Sequence, residues 1–169
     1  TSPTNIGMMV LAALSAWRLG HIGTAELSVR MREMLNALDR LERWRGHILN
    51  WYETGTLAPL EPRYVSTVDS GNLAVSLVTL AKGCVEIASH PAFDPTRWQG
   101  LDDCLALLGG AVEAATLKGH VHSGMAIARL RSEIRDAPSG PASGPVLLER
   151  CEAKFAEIRL DLSALLDSS

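Results

Sequence analysis

Four stretches of the chain repeat apolar residues at alternating steps of three and four, the spacing that gathers them on one stripe of an α-helix. Leu27, Met31, Met34, Leu38 and Leu41 make the first stripe, and Leu73, Leu77, Leu80, Cys84 and Ile87 the second. Leu101, Leu105, Leu108, Val112 and Ala115 make the third; Leu147, Cys151, Phe155, Ile158, Leu162 and Leu165 make the fourth. Two further segments read as helices. Pro3–Leu19 is apolar nearly all round, which predicts a helix buried on most sides, and Ser123–Arg135 is short, with Met125, Ile127, Leu130 and Ile134. No region alternates with period two for long enough to argue a sheet. The pattern predicts an all-α fold, a bundle of about six or seven helices, in a single helical domain over residues 1–169.

Start and stop signals agree with this division. Ser2-Pro3 and Asp94-Pro95 each put a capping side chain before a proline at the first helical position, where its missing N–H costs nothing. Gly20 and Gly119 stand where left-handed C-caps are expected. Thr24 is placed to cap the second helix, with Glu26 in its first turn favouring the positive end of the dipole. Residues 137–145, APSGPASGP, read as a flexible linker before the last helix. The chain starts at Thr1 without Met and enters helical pattern at once, which reads as a piece of a longer polypeptide or a processed N-terminus.

One segment breaks the pattern. Residues 46–70, GHILNWYETGTLAPLEPRYVSTVDS, hold Gly55, Pro59 and Pro62 and little helical periodicity. A long irregular loop in a helical domain is uncommon and often functional. Of eight aromatics in the chain, four (Trp44, Trp51, Tyr52 and Tyr64) fall between positions 44 and 64. Aromatic faces cover the C–H patches of a pyranose ring while planar polar groups bond its hydroxyls. Trp51 and Tyr52 supply faces; His47, Asn50, Glu53, Arg63 and Asp69 supply donors and acceptors for substrate binding. Glycosidic chemistry needs two carboxylates, about 5–5.5 Å apart for retention or about 6.5–9.5 Å for inversion. Glu53 and Asp69 are the candidate catalytic pair, with Glu61 nearby. A structural reading competes: Tyr and Trp plug the top of a bundle with polar tips outward, Asp69 before Ser70 and Asn72 is a helix N-cap, and Glu61-Pro62-Arg63 is a surface ion pair.

Composition narrows the function classes. Sixteen Lys+Arg against nineteen Asp+Glu give a net charge of −3, without the basic surplus of a nucleic-acid binder. Hydrophobic residues are 47% of the chain, enough for a core. The three cysteines, Cys84, Cys104 and Cys151, form neither a disulfide framework nor a metal knuckle and fit a reducing compartment. The longest apolar run, Ile6–Trp17, is too short for a bilayer and lacks the flanks of a signal peptide. This predicts a soluble segment that does not itself span a membrane.

Other motifs favour bland roles. His120 and His122 share a face only on a strand, so a solvated turn is expected and no metal site. Gly109-Gly110 follows no strand and suits close helix packing, not phosphate. Met8, Met9, Met31 and Met34 read as adaptable core filler. Arg40, Arg43 and Arg45 alternate with Asp39 and Glu42, the pattern of a salt-bridged exposed face. No spacing supports a nucleophile–His–acid set.

TSPTNIG at 1–7 and LERWRGHILNWYETGTLAPLEPRYVSTVDSGNLA at 41–74 resemble a region of the bacterial cyclic β-1,2-glucan synthases. The match covers residues 1–90 well, and 91–169 by helical character alone. These are very large inner-membrane proteins that build cyclic glucans from UDP-glucose, joining a glycosyltransferase domain to glycoamylase-like and phosphorylase-like regions. The loop is also similar to those of glycoamylase-like (α/α) toroids, where loops at one end of the barrel line the sugar site. The resemblance implies an accessory helical segment of a glycosyltransferase parent, not catalytic alone; the cysteine usage and the absence of a signal peptide favour its cytoplasmic side, and no cofactor is expected. Its implied partners are β-1,2-glucan or an oligosaccharide and other domains of the parent; the apolar first helix and the half-toroid helix count suit instead a purely structural module packing on other domains or on a second copy of the chain. It places Asn50, Trp51, Tyr52, Glu53, Arg63, Tyr64, Asp69 and Asn72 at a sugar-facing end. After NWY such sequences typically carry Asp; here it is Glu53. A complete toroid needs about twice the helices this chain supplies, which implies a partial toroid, its open apolar face repacked or covered.

Overall fold

A computed structural model describes residues 1–91, 94–115, 121–136 and 143–166. The described residues form α1 (Pro3–Arg18), α2 (Thr24–Arg40), a two-stranded hairpin β1 (Arg43–Trp44) and β2 (His47–Ile48), then α3 (Thr67–Ser89), α4 (Pro95–Ala115), α5 (Val121–Arg135) and α6 (Ser143–Leu166). The all-α expectation holds, and each predicted stripe lies on its own helix, except that Leu41 stands just past α2 as its extended C-cap.

Caps explain the boundaries, with one correction. Ser2 Oγ accepts from the Asn5 N–H at 3.2 Å and Asp94 Oδ1 from the Thr96 N–H at 2.7 Å, each bracketing its proline as expected. Gly20 ends α1 at φ +79°, a conformation that favours glycine. Thr24 does not cap α2: Gly23 holds the N-cap position, and the Thr24 hydroxyl instead accepts the Trp17 indole N–H at 3.1 Å. The short hairpin is a second departure. Arg45 (φ 49°) and Gly46 (φ 85°) both take positive φ between paired Trp44 and His47, which is the type I′ turn that joins two strands directly. Of the expected linker 137–145, residues 143–145 open α6; residues 137–142, Gly119 and His120 lie outside the described residues.

The chain divides into two compact units, residues 1–18 with 22–90 and residues 19–21 with 91–169. In the first, α1 packs on α2 and α3. A Cβ on Gly7 would stand 2.6 Å from Ser76 Oγ, so glycine is what lets α1 approach α3 closely. Val10, Trp17, Leu27, Met31 and Leu80 form one apolar cluster, and Ile6, Leu38, Leu41, Leu49, Tyr52 and Leu73 another. The prediction that α1 is buried on most sides is overturned. It buries Pro3, Ile6, Gly7, Val10 and Trp17, a single stripe, and leaves Met8 and Met9 at least half exposed. Of the four methionines read as core filler, only Met31 is fully buried.

In the second unit, Leu105 and Val112 of α4, Ile127, Leu130 and Ile134 of α5, and Leu147, Cys151 and Ile158 of α6 form one continuous core. Charge pairs flank it. Asp102 takes Arg131 at 2.7 Å and Arg135 at 2.9 Å, and Arg150 meets Glu133 at 2.8 Å. Among the described residues one helix, α3, is long and apolar enough to cross a membrane by length and composition, although a small share of its apolar window is buried. The run-length reading passes over it because Asp69, Asn72, Ser76, Thr79 and Lys82 break up the run.

Candidate functional site

The segment between β2 and α3 is an irregular hairpin. The Asn50 N–H donates to the Tyr64 carbonyl (2.9 Å), the Leu60 N–H to that of Trp51 (2.9 Å) and the Glu53 N–H to that of Ala58 (2.9 Å). Thr1 clamps it from the other side: the Thr1 nitrogen donates to the Tyr52 carbonyl and the Tyr52 N–H to the Thr1 carbonyl at 2.8 Å. Backbone pairing therefore satisfies a loop that has no helical periodicity, as buried peptide groups require.

Tyr52 is the keystone, and this corrects its expected place at a sugar-facing end. Its ring is wholly buried, so it has no face to offer a ligand. Its hydroxyl accepts from the Leu49 N–H and donates to the Glu42 carbonyl, each at 2.7 Å. Burial pushes the phenol above its ordinary pKa.

Around Tyr52 the polar residues converge on Asn50, which is itself buried. With its amide oriented to match its neighbours, Oδ1 accepts from the Tyr64 hydroxyl at 2.6 Å and the Trp51 indole N–H at 2.7 Å. Its Nδ2 donates to Asp69 Oδ2 at 2.9 Å. Asp69 Oδ1 accepts from the Thr4 hydroxyl at 2.5 Å, and Asn72 Nδ2 donates to that same hydroxyl oxygen at 3.1 Å. The N-cap of α3 is Ser66, whose Oγ accepts the Asp69 N–H at 3.2 Å. Asp69 was expected as the cap; it lies three residues further in, and the Ser66 and Thr4 hydroxyls hold its carboxyl below the usual carboxylate range.

Glu53 serves its own turn. Its carboxylate accepts from the Thr56 N–H at 2.5 Å, and the amides of Gly55 and Thr56 lower its pKa to about 2. Leu57 closes that turn at φ 61°, strained for a side chain bearing Cβ, and packs on the cluster around Tyr52.

A cleft of about 300 Å³ opens beside this network, lined by Glu42, Arg43, Trp44, Leu49, Arg63, Tyr64 and Val65. Trp44, Trp51 and Tyr64 are about half exposed. Arg63 bridges Glu42 at 2.7 Å and Glu61 at 3.0 Å, the expected surface pair extended by one partner. Arg45 lies 4.8 Å over the Trp44 ring, a cation–π contact.

Of the expected site residues, Asn50, Trp51, Tyr64, Asp69 and Asn72 are thus joined in one network, and Arg63 meets it at the cleft. His47 is exposed on β2, outside the cleft lining. Trp44, Arg43 and Glu42 were missed as site residues, although Trp44 belonged to the aromatic cluster. Thr4 carries no sequence signal, since it stands 65 residues before Asp69.

The fold and cleft define an all-α segment with exposed aromatic rings beside paired arginines. Over 113 residues, 66% of the chain, it is 44% identical to the cyclic β-(1,2)-glucan synthase NdvB of Rhizobium meliloti (strain 1021). The chain is therefore a relative of one region of a cyclic glucan synthase, as the strings at 1–7 and 41–74 implied. It spans about 4% of the length of that curated relative. No family model matches the chain.

Proposed function

We propose that the chain is an accessory helical segment of a cyclic β-1,2-glucan synthase that contacts the glucan through the exposed rings of Trp44, Trp51 and Tyr64, with Arg43, Arg63 and Glu42 beside them. The observation that carries this reading is the cleft, in which aromatic faces and planar charged groups share one opening. A pyranose offers apolar C–H patches to such rings and hydroxyls to such ions. The relative's printed activity, synthesis of a cyclic β-(1,2)-glucan, supplies the ligand class.

Binding fits the residues better than cleavage. A general acid must carry its proton at the working pH, and both Glu53 and Asp69 have lowered pKa values. Their hydrogen bonds serve the turn and the network instead. The parent in this reading is an inner-membrane glycosyltransferase, with this segment on the cytoplasmic side.

The test is an amide-resolved NMR titration of the 169-residue chain with linear and cyclic β-1,2-glucans. Shifts are expected to gather on residues 42–64 and to vanish in Trp44→Ala and Arg63→Ala, with the fold intact. No shift at millimolar glucan on a folded sample overturns the reading.

A second reading, a structural module packing against other domains of the parent, is favoured by the outer face of α3. Val68, Val75, Val78 and Val85 are all well exposed there. Glucan-blind chain with unchanged parent activity in Trp44→Ala, and lost activity in Val78→Asp, would favour it.

A further inference from the structure

Three aromatic side chains of one short loop send their polar atoms inward, yet they end in two different states. Tyr52 buries its hydroxyl and its ring together. Trp51 and Tyr64 bury only their polar tips, on the single oxygen of Asn50, and leave their rings about half exposed. A ring that merely plugs a bundle follows the first pattern. An exposed Tyr or Trp without a task usually gives its donor to water and turns among rotamers.

The acceptor is itself fixed. Asn50 is buried and cannot turn its amide freely, because Nδ2 is held on Asp69 Oδ2 at 2.9 Å. Asp69 is anchored in turn by the Thr4 hydroxyl on its other oxygen and by its place in the first turn of α3. An acceptor locked by a carboxylate receives two ring donors at 2.6 and 2.7 Å. The rotamer freedom of both rings is then lost before any ligand arrives, which lowers the ordering cost of binding.

We infer that Asn50, locked by Asp69, is a positioning residue that sets Trp51 and Tyr64 as a preformed aromatic platform for a glucan. The ligand class rests on the reading proposed above; the positioning of the rings does not.

The chemistry supplies a test by exchange. Asn50→Asp puts a second carboxylate against Asp69 at hydrogen-bond distance and breaks the link. Combining it with Asp69→Asn reverses the pair: the carboxylate at position 50 accepts both ring donors, and the amide at position 69 donates to it while its carbonyl accepts from Thr4. The readouts are the Trp51 indole N–H resonance and the affinity for linear β-1,2-glucan, measured on the 169-residue chain. Expected is an upfield move of the indole proton and an affinity lower by about tenfold in Asn50→Asp, both restored in the exchanged pair. An indole resonance unmoved in folded Asn50→Asp overturns the inference, as does an exchanged pair that folds without restoring it. Should the single variant not fold, the exchanged pair alone decides by the same resonance. If the unaltered chain binds no glucan, the proposed ligand fails, and the indole readout still decides whether Asn50 positions the rings.

Discussion

The core of α4–α6 and the loop between residues 42 and 72 are held by opposite means. Along α4, α5 and α6 the buried side chains are almost all apolar and recur at helical spacing, so each contact is one of many and none is specific. In the loop, stability rests on a few directional bonds through Tyr52, Asn50 and Asp69, some between near neighbours and others joining residues far apart in the chain. A packed apolar core degrades gradually with lost volume. A polar network fails when one partner is removed and leaves another stranded. The first makes a scaffold; the second fixes the orientation of particular side chains, which is what a binding surface needs.

The sharpest way to probe that contrast is to damage each region in its own currency. Ile127→Ala removes a side chain that is essentially buried in the α4–α6 core and is expected to cost about 2–5 kcal/mol. Urea unfolding measures it, and alkylation of Cys151 reports it locally, because that buried thiol, its pKa raised by burial, reacts only when the core opens. A loss under about 1 kcal/mol would mean the core relaxes around the gap.

Tyr52→Phe keeps the ring volume and deletes one oxygen. It orphans the Leu49 N–H and the Glu42 carbonyl, an expected loss of about 1–3 kcal/mol. The comparison breaks if this hydroxyl deletion proves neutral by thermal unfolding.

Asp102→Asn tests charge at the flank of the apolar core. The hydrogen bond from Arg131, then that from Arg135, holds this carboxyl below its ordinary pKa. A lowered folded-state pKa contributes stability that is full above the unfolded value, about 3.9, and is lost as pH falls through the folded one. The unaltered chain should therefore lose stability relative to Asp102→Asn as pH is lowered through the acid range. Parallel stability–pH curves for the two would remove the pair from the account.

The smallest effects belong to the loop surface. Glu53 should titrate near pH 2 rather than at its ordinary 4.5, so its turn stays capped above about 4.5 and opens only as pH falls toward 2; carboxyl-carbon NMR shifts give the value directly. Arg63→Ala breaks two exposed ion pairs and should change stability by less than about 1 kcal/mol, while weakening glucan contact in the titration above.

How far the sequence carried the fold follows from the same contrast. Leu105 to Ile158 could be read off directly because apolar periodicity is a local property of the chain, and so were the caps at Ser2 and Asp94. The aromatic cluster marked the loop beside the cleft from composition alone, and helix existence never depended on distant partners. The sequence could not distinguish Tyr52 from Trp51, adjacent residues of similar type. Their fates diverge because Leu49 and Glu42 stand within reach of the Tyr52 hydroxyl, and Asn50 within reach of the Trp51 indole. Nor could it show that Thr4 would meet Asp69, or that Thr24 would receive Trp17 and leave the cap to Gly23. Helices arise from spacings of three and four residues, which any window of the chain contains. The Trp51 indole is held by its neighbour Asn50, but Asn50 is itself fixed by a chain of bonds through Tyr64, Asp69 and Thr4 that span 14 to 65 residues and exist only once α1, the loop and α3 have packed.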